Sequence, residues 1–352
     1  MEILLLLALP LLAMFGLSDN NDDETETDAN TTANTHDSDT GGGTDGGTDG
    51  GTDGGGDTTI FGTTGDDNIT GTDGDDLIDV GSGNDTVFGG LGDDTLVGGF
   101  GNDRLEGFDG NDSIDGGDDD DSLWGRDGDD TLNGGSGFDT LIGGLGTDVI
   151  FGGNDDDVIA GSQGDDEIYG GDGNDIVFVG VNEGSDEIYL GGGNDLLDAE
   201  TATSAQEAYG NDGDDTMLGG EGYDTFFGED GNDSLDGGTG GGELYGGFGD
   251  DTLTSIGDAD LYGEDGNDAF VIQTATTGVL QVFDFVPGED RVEIEFENLA
   301  APPEVTTVLA ANGLDSEVLV GGELHMVLLG VTPDQLLDAS LVLVPVPVAA
   351  VA

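Results

Sequence analysis

Between Gly62 and Phe178 the chain holds one phase for 117 residues: a nine-residue unit, Gly-Gly-x-Gly-x-Asp-x-(apolar)-x, comes round thirteen times. Clean copies run Gly89-Gly-Leu-Gly-Asp-Asp94-Thr-Leu96-Val and Gly98-Gly-Phe-Gly-Asn-Asp103-Arg-Leu105-Glu. With positions numbered one to nine, the sixth is aspartate in all thirteen units and the eighth is always Ile, Leu or Val, from Ile69 and Ile78 to Ile168 and Val177. An apolar residue at every ninth place excludes an amphipathic helix, whose stripe recurs every three or four residues. It fits a short strand over positions seven to nine, alternating with a six-residue glycine turn. Each unit then buries one side chain against its neighbours instead of on a shared centre.

Beyond Phe178 the phase slips by two residues and resumes in two units carrying Asp186 with Ile188 and Asp195 with Leu197. An eleven-residue insert, Ala199 to Tyr209, interrupts it. Five units follow from Gly210, one of them with Gly242 at the sixth position. A shortened unit around Asp258 and Asp260 precedes the last full copy, Gly263 to Val271, with Asp268 and Phe270.

Charge sets the next limit. Eighty acids against three arginines and no lysine give a formal net charge of -77, far beyond what a compact fold tolerates without counter-charge. Nucleic acid and anionic membrane surfaces are excluded as partners, because both require clustered Lys and Arg. The counter-charge is therefore a cation. With no cysteine, thiolate metal sites and disulfides are excluded as well. With 71 glycines, a conventional shared core is out of reach, which again favours repetition.

The unit is suited to holding such a cation. Glycines at positions one, two and four allow positive φ and close backbone approach, so that turn carbonyls can face a common centre. Position five is Asp or Asn in eleven of the thirteen units, the non-glycine residues best suited to left-handed turns. Carbonyl oxygens with the sixth-position carboxylate make an all-oxygen cage, which suits Ca²⁺ over zinc or copper, with Mg²⁺ the weaker candidate.

These residues resemble the RTX, or haemolysin-type, calcium-binding repeat over Gly62 to Val271. The resemblance implies an all-β fold, a right-handed parallel β-roll with two units per turn and calcium ions in two columns between glycine turns. Ligand carboxylates carried over from the family are Asp67, Asp76, Asp85, Asp94, Asp103, Asp112, Asp121, Asp130, Asp139, Asp148, Asp157, Asp166, Asp175, Asp186, Asp195, Asp215, Asp224, Asp233, Asp251 and Asp268. Asp119 and Asp155 replace a fourth-position glycine, Val80 replaces a first, and Gly242 removes a ligand. Phe283-Asp-Phe-Val-Pro-Gly-Glu-Asp290-Arg-Val292 is similar to the cap that follows the repeats in serralysin-type proteases. The family also implies an extracellular or cell-surface location and export by a type I secretion apparatus.

Four regions are expected. Residues 1–17 hold an apolar run from Ile3; as a helix it would rise ~22 Å against a ~30 Å hydrocarbon core, so a signal segment and a membrane tether both stay open. Residues 18–59 form an acidic Gly/Thr/Asp linker with too little to bury for a fixed fold. Residues 60–271 are the roll, broken at 199–209, and 272–352 a small β cap carrying a possible secretion signal. In the cap, Arg291–Glu297 alternates as a half-buried strand, Gly321-Gly322 marks a hairpin, and Thr332-Pro-Asp-Gln335 a capping box.

The function expected is calcium binding by a non-catalytic protein that folds on binding its ions. The alternative is the calcium-dependent C-terminal module of a protease-, lipase- or epimerase-like secreted enzyme whose catalytic part is missing. The zinc-protease His-Glu-x-x-His is absent, and the two histidines, His36 and His325, fall in linker and strand. Trp124, Tyr169 and Tyr189 read as isolated exposed aromatics in preference to an outward stripe for a surface polymer.

Overall fold

The computed structural model describes residues 48–50, 56–181, 184–273, 275–297, 302–336 and 340–346, all within one compact unit, Asn34–Ala352. The apolar segment 1–17 lies outside the described residues, as do 18–47 and 51–55 of the acidic stretch.

The described chain is all-β, a parallel β-solenoid built of the nonapeptide units. The strands form two sheets of fifteen and sixteen, and as far as Arg291–Glu297 successive strands alternate between them, each pairing with the strand two places away. Thus Thr86–Leu91 lies parallel between Asn68–Thr70 and Arg104–Asp109, while Thr95–Phe100 lies between Leu77–Ser82 and Ser113–Asp118 in the other sheet. Two units make one turn, and eighth positions face eighth positions: Val87 pairs with Leu105, and Leu96 with Ile114. Their side chains meet between the sheets as a single column in which Leu96, Leu132 and Ile159 are fully buried. Each such burial contributes about 1.5–3 kcal/mol.

Strands in the regular part are six residues long, not three, reaching from position seven of one unit to position three of the next. Main-chain groups beyond the first glycine keep pairing with the following turn, as in the Gly83 N–H to the Phe100 carbonyl at 2.9 Å. The turn proper shrinks to positions four to six. Nor does the insert leave the solenoid. Glu207–Asp212 pairs with Glu187–Gly192 and with Thr225–Asp230, so Ala208 fills the eighth position and is fully buried. The extra residues form a turn in which Ala199 and Ala202 are themselves buried. At the other end, Thr48–Gly50 adds a strand alongside Asn68–Thr70, inside the stretch expected to be linker.

Both sheets continue into the C-terminal block. The fifteen-strand sheet ends in Arg291–Glu297 and then Leu341–Val346, where Pro345 sits on an edge strand that needs no further donor. The sixteen-strand sheet passes through Leu280–Val282 to Glu323–Leu328, Ser316–Val320 and Val305–Leu309, the last two joints antiparallel. Gly321 and Gly322 turn the hairpin with φ of 63° and 89°, the left-handed pair that a two-residue hairpin loop requires. At Thr332 the N–H and hydroxyl both donate to the Gln335 side-chain oxygen, opening a short 3-10 turn over Pro333–Gln335.

On the outer face of the sixteen-strand sheet the ninth positions align. Phe151, Tyr169, Tyr189, Tyr209, Phe227, Tyr245, Tyr262 and Phe283 form one stack, with centroids 4.5–5.1 Å apart and planes within 7–14°. Tyr169 and Tyr189 are therefore not isolated. A one-turn offset carries each ring directly onto the next, a geometry that spacing along the chain does not display. Trp124 stands apart on the other sheet, with the Arg104 guanidinium 4.8 Å above its ring.

Because each unit supplies a single core side chain, truncation has no neighbour to fill the gap. Leu132→Ala should destabilise the fold by about 2–5 kcal/mol in urea unfolding followed by circular dichroism. Thr131→Ala, exposed on the same strand, should change it by less than about 0.5 kcal/mol.

Candidate metal centres

The sixth-position aspartates start the strands of each sheet, and the solenoid stacks them turn upon turn. In one column the Oδ1 of each aspartate accepts the backbone N–H of the aspartate one turn earlier, at 2.7–3.1 Å, from Asp67 through Asp85, Asp103, Asp121, Asp139, Asp157, Asp175, Asp195, Asp215, Asp233, Asp251 and Asp268 to Asp290. The second runs through Asp76, Asp94, Asp112, Asp130, Asp148, Asp166 and Asp186, then Gln206, and ends at Asp224, at 2.8 Å or slightly longer in most steps. All twenty aspartates singled out from the sequence fall in these columns.

Two members escape a reading of the spacing. Asp290 lies in the C-terminal block, where the glycine pattern has faded; its signal is the Pro-Gly-Glu-Asp-Arg-Val run, which keeps an aspartate two places before an apolar residue. Gln206 hides in the insert and shows only as the residue two places before Ala208. Opposite Asp224 the second column gives way to Gly242 and then Ala259, so it stops short of the C-terminal block.

The second carboxylate oxygens separate the units into two kinds. In fifteen, Asp85 to Asp251 of the first column and Asp94 to Asp166 of the second, Oδ2 is buried and has no hydrogen-bond donor. In every one of these the residue at position two has left-handed φ. It is usually glycine, such as Gly90 at 124°, but also Phe108 (82°), Arg126 (90°), Ser162 (77°), Asn211 (70°) and Glu229 (72°). At four other aspartates position two is not left-handed and its N–H closes on the carboxylate: Thr63 to Asp67 at 2.6 Å, Thr72 to Asp76 at 2.5 Å, Gly220 to Asp224 at 3.3 Å and Val286 to Asp290 at 2.6 Å, whereas before Asp268 Glu264 keeps the left-handed φ of 67°. The left-handed conformation thus withholds a donor. Non-glycine residues adopt it at a cost of about 1–2 kcal/mol each.

Position one completes the cradle. A β-carbon on Gly89 would lie 2.4 Å from Asp94 Oδ2 and 2.7 Å from the Gly107 carbonyl oxygen of the next turn. Glycine is required there because carboxylate and carbonyl oxygens converge on its open side. Among the described residues no three His, Asp, Glu or Cys side chains gather at one point. A cation held here would draw most of its ligands from main-chain carbonyls, which suits a hard ion.

Among the described residues no arginine pairs with a column aspartate. The three arginines pair elsewhere: Arg104 and Arg126 both with the buried Glu106, and Arg291 with Glu293. Burial is the largest influence on Asp121, Asp157 and Asp215 and pushes them up; the N–H from the preceding turn pulls down, and neighbouring aspartates push up again. Asp121, Asp157 and Asp215 rise to about 8, Asp94 and Asp148 to about 7, and Asp103 and Asp233 to about 6. Oxygens that are buried, undonated and reluctant to ionise fit a bound cation.

Comparison with known proteins bears on which cation. No curated protein sequence matches the chain. Among solved structures, the chain is similar to the AlgE6R3 subunit of the mannuronan C5-epimerase from Azotobacter vinelandii, 21% identical with a TM-score of 0.23, covering 42% of this chain and 82% of that one. The extracellular lipase LipA from Serratia marcescens is 22% identical with a TM-score of 0.20, covering 69% of this chain and 40% of the lipase. Likenesses of that extent carry no argument. The family model described as RTX calcium-binding nonapeptide repeat matches residues 52–87, 88–123, 124–159, 151–181, 181–201 and 209–243, more than half of the chain. With that coverage, and with the glycine turns and aspartate columns that the repeat builds here, the chain belongs to the RTX calcium-binding nonapeptide repeat family.

Proposed function

We propose that the protein is a non-catalytic, extracellular or cell-surface rod that folds on binding many calcium ions along its two aspartate columns. The fifteen buried carboxylate oxygens without a donor carry this reading. Most of them lie beside a main-chain carbonyl in a cradle that glycine leaves open, as at Gly89, while Val80 and Leu190 take that place before Asp85 and Asp195. The open aspartates, Asp85 to Asp251 and Asp94 to Asp166, are the ligands; Asp67, Asp76 and Asp224 are satisfied by backbone N–H groups and serve to close the columns. Bound calcium supplies the positive charge that the chain's own side chains lack. Without it, carboxylates stacked near the ~4.8 Å strand spacing repel one another, so ordering and binding are coupled.

Coupling of this kind suits export. A chain that stays unfolded at low calcium and folds where calcium is plentiful can pass a type I secretion apparatus before it becomes rigid. The segment Phe283–Val292 is read as a serralysin-like cap; Asp290 and its Val286 hydrogen bond end the first column in support of that role. A surface polymer remains the class of partner proposed for the folded rod.

Three outcomes test the proposal. Chelation should abolish most of the far-UV β signal and restored calcium should return it; a chelated chain with an unchanged spectrum would sink the coupling. In titration calorimetry, Asp148→Asn should lower the number of ions bound, whereas Asp67→Asn should leave it unchanged; equal losses would overturn the division into open and closed units. The third concerns pH. Folded carboxylates sit at about 6 to 8 against 3.8 when exposed, so the ion-free fold binds more protons than the unfolded chain across that window. Its stability therefore falls as pH rises from about 4 to 8. Acidifying the chelated chain from pH 8 to 5 should recover β structure, and calcium binding over the same range should weaken and release protons. A calcium midpoint indifferent to pH would contradict this.

A further inference from the structure

The aromatic stack on the sixteen-strand sheet has no part in ion binding. Five of the chain's six tyrosines belong to it, in two groups divided by Phe227: Tyr169, Tyr189 and Tyr209, then Tyr245 and Tyr262. Within each group neighbouring rings are 4.5–5.1 Å apart and within 8° of parallel. Their faces are covered by one another, so the column offers no flat platform for a sugar ring; edges and hydroxyls are what reach the solvent. Each of four hydroxyls donates to the carboxylate two residues earlier: Tyr169 to Glu167, Tyr189 to Glu187 at 2.5 Å, Tyr209 to Glu207 at 2.5 Å and Tyr245 to Glu243 at 2.9 Å.

Among the described residues alternative targets for an oxidant are few. Cysteine is absent from the chain, Met217 and Met326 are fully buried, and Trp124 is half-buried beneath the Arg104 guanidinium. We propose that the stacked tyrosines are a site of oxidative modification, in which a one-electron oxidant from outside couples neighbouring rings into dityrosine and staples successive turns. The atoms balance simply. Each of two phenols gives one electron to the oxidant and releases its hydroxyl proton, to the hydrogen-bonded glutamate from Tyr169, Tyr189, Tyr209 and Tyr245 and to solvent from Tyr262. The two phenoxyl radicals join through ring carbons ortho to oxygen, and the hydrogens on those carbons shift to the oxygens. The pair loses two electrons and two protons, and a carbon–carbon bond forms. Tyr189 and Tyr209 are twenty residues apart in the chain and meet only because the solenoid stacks them, so the reaction is templated by the fold. Phe227, with no phenol, bars coupling between the groups.

The full-length folded chain would be oxidised with a photogenerated ruthenium(III) complex and persulfate, then digested and mapped by mass spectrometry. Expected are intramolecular links Tyr169–Tyr189, Tyr189–Tyr209 and Tyr245–Tyr262, each short of two hydrogens, at about tenfold the yield in the urea-unfolded chain. Tyr189→Phe should remove the first two links and spare the third, and Phe227→Tyr should add links to Tyr209 and Tyr245. Tyr223, 51% exposed and outside the stack, supplies the internal control. Links centred on Tyr223, chiefly intermolecular products, or equal yields in folded and unfolded chains would overturn the proposal.

Discussion

Repulsion between stacked carboxylates is the constraint on which the rest of this structure depends. A solenoid that places an aspartate at the start of every strand sets like charges near the ~4.8 Å strand spacing, inside a fold with three arginines and no lysine. One oxygen of each carboxylate is anchored by the N–H of the preceding turn, which fixes the geometry without cancelling the charge. The other, in fifteen units, is buried without a hydrogen-bond donor. Stability, ion binding and pH response are consequently one quantity seen three ways. The apolar column between the sheets is too narrow, at one side chain per unit, to outweigh the repulsion by itself.

Much of this was legible in the order of residues. A period of nine with fixed sixth and eighth positions could satisfy neither a helix nor an ordinary alternating sheet, so strand, turn and core position followed from spacing. What stayed hidden depended on relations between turns. Strand length doubled because main-chain pairing ran past the glycines. Ala208 and Gln206 kept the pattern in positions but not in residue types, so they read as an insert. The aromatic stack required knowing that ninth positions in alternate units overlie one another. Asp290 needed the sheet to continue into a block whose glycines had thinned out.

Position two was the least legible feature and the most informative one. Phe108, Arg126, Ser162, Asn211 and Glu229 look like tolerated substitutions of a glycine, yet each keeps the left-handed conformation despite its β-carbon. The backbone's orientation there, and not the side chain, decides whether an aspartate meets a donor. Family patterns written in residue types therefore describe the carboxylate faithfully and the availability of its second oxygen only indirectly.

Gln206 has a consequence of another sort. Its side chain receives the Asp186 N–H as a carboxylate would, but its amide also donates to the Gly184 and Ser204 carbonyls, and it carries no charge. Along the first edge the relay from backbone N–H to carboxylate runs unbroken from Asp67 to Asp290 with a carboxylate at every step, whereas the second edge has one amide step between Asp186 and Asp224. Two edges made from the same repeat thus carry different sequences of charge, one uniform and one with a neutral gap set into it.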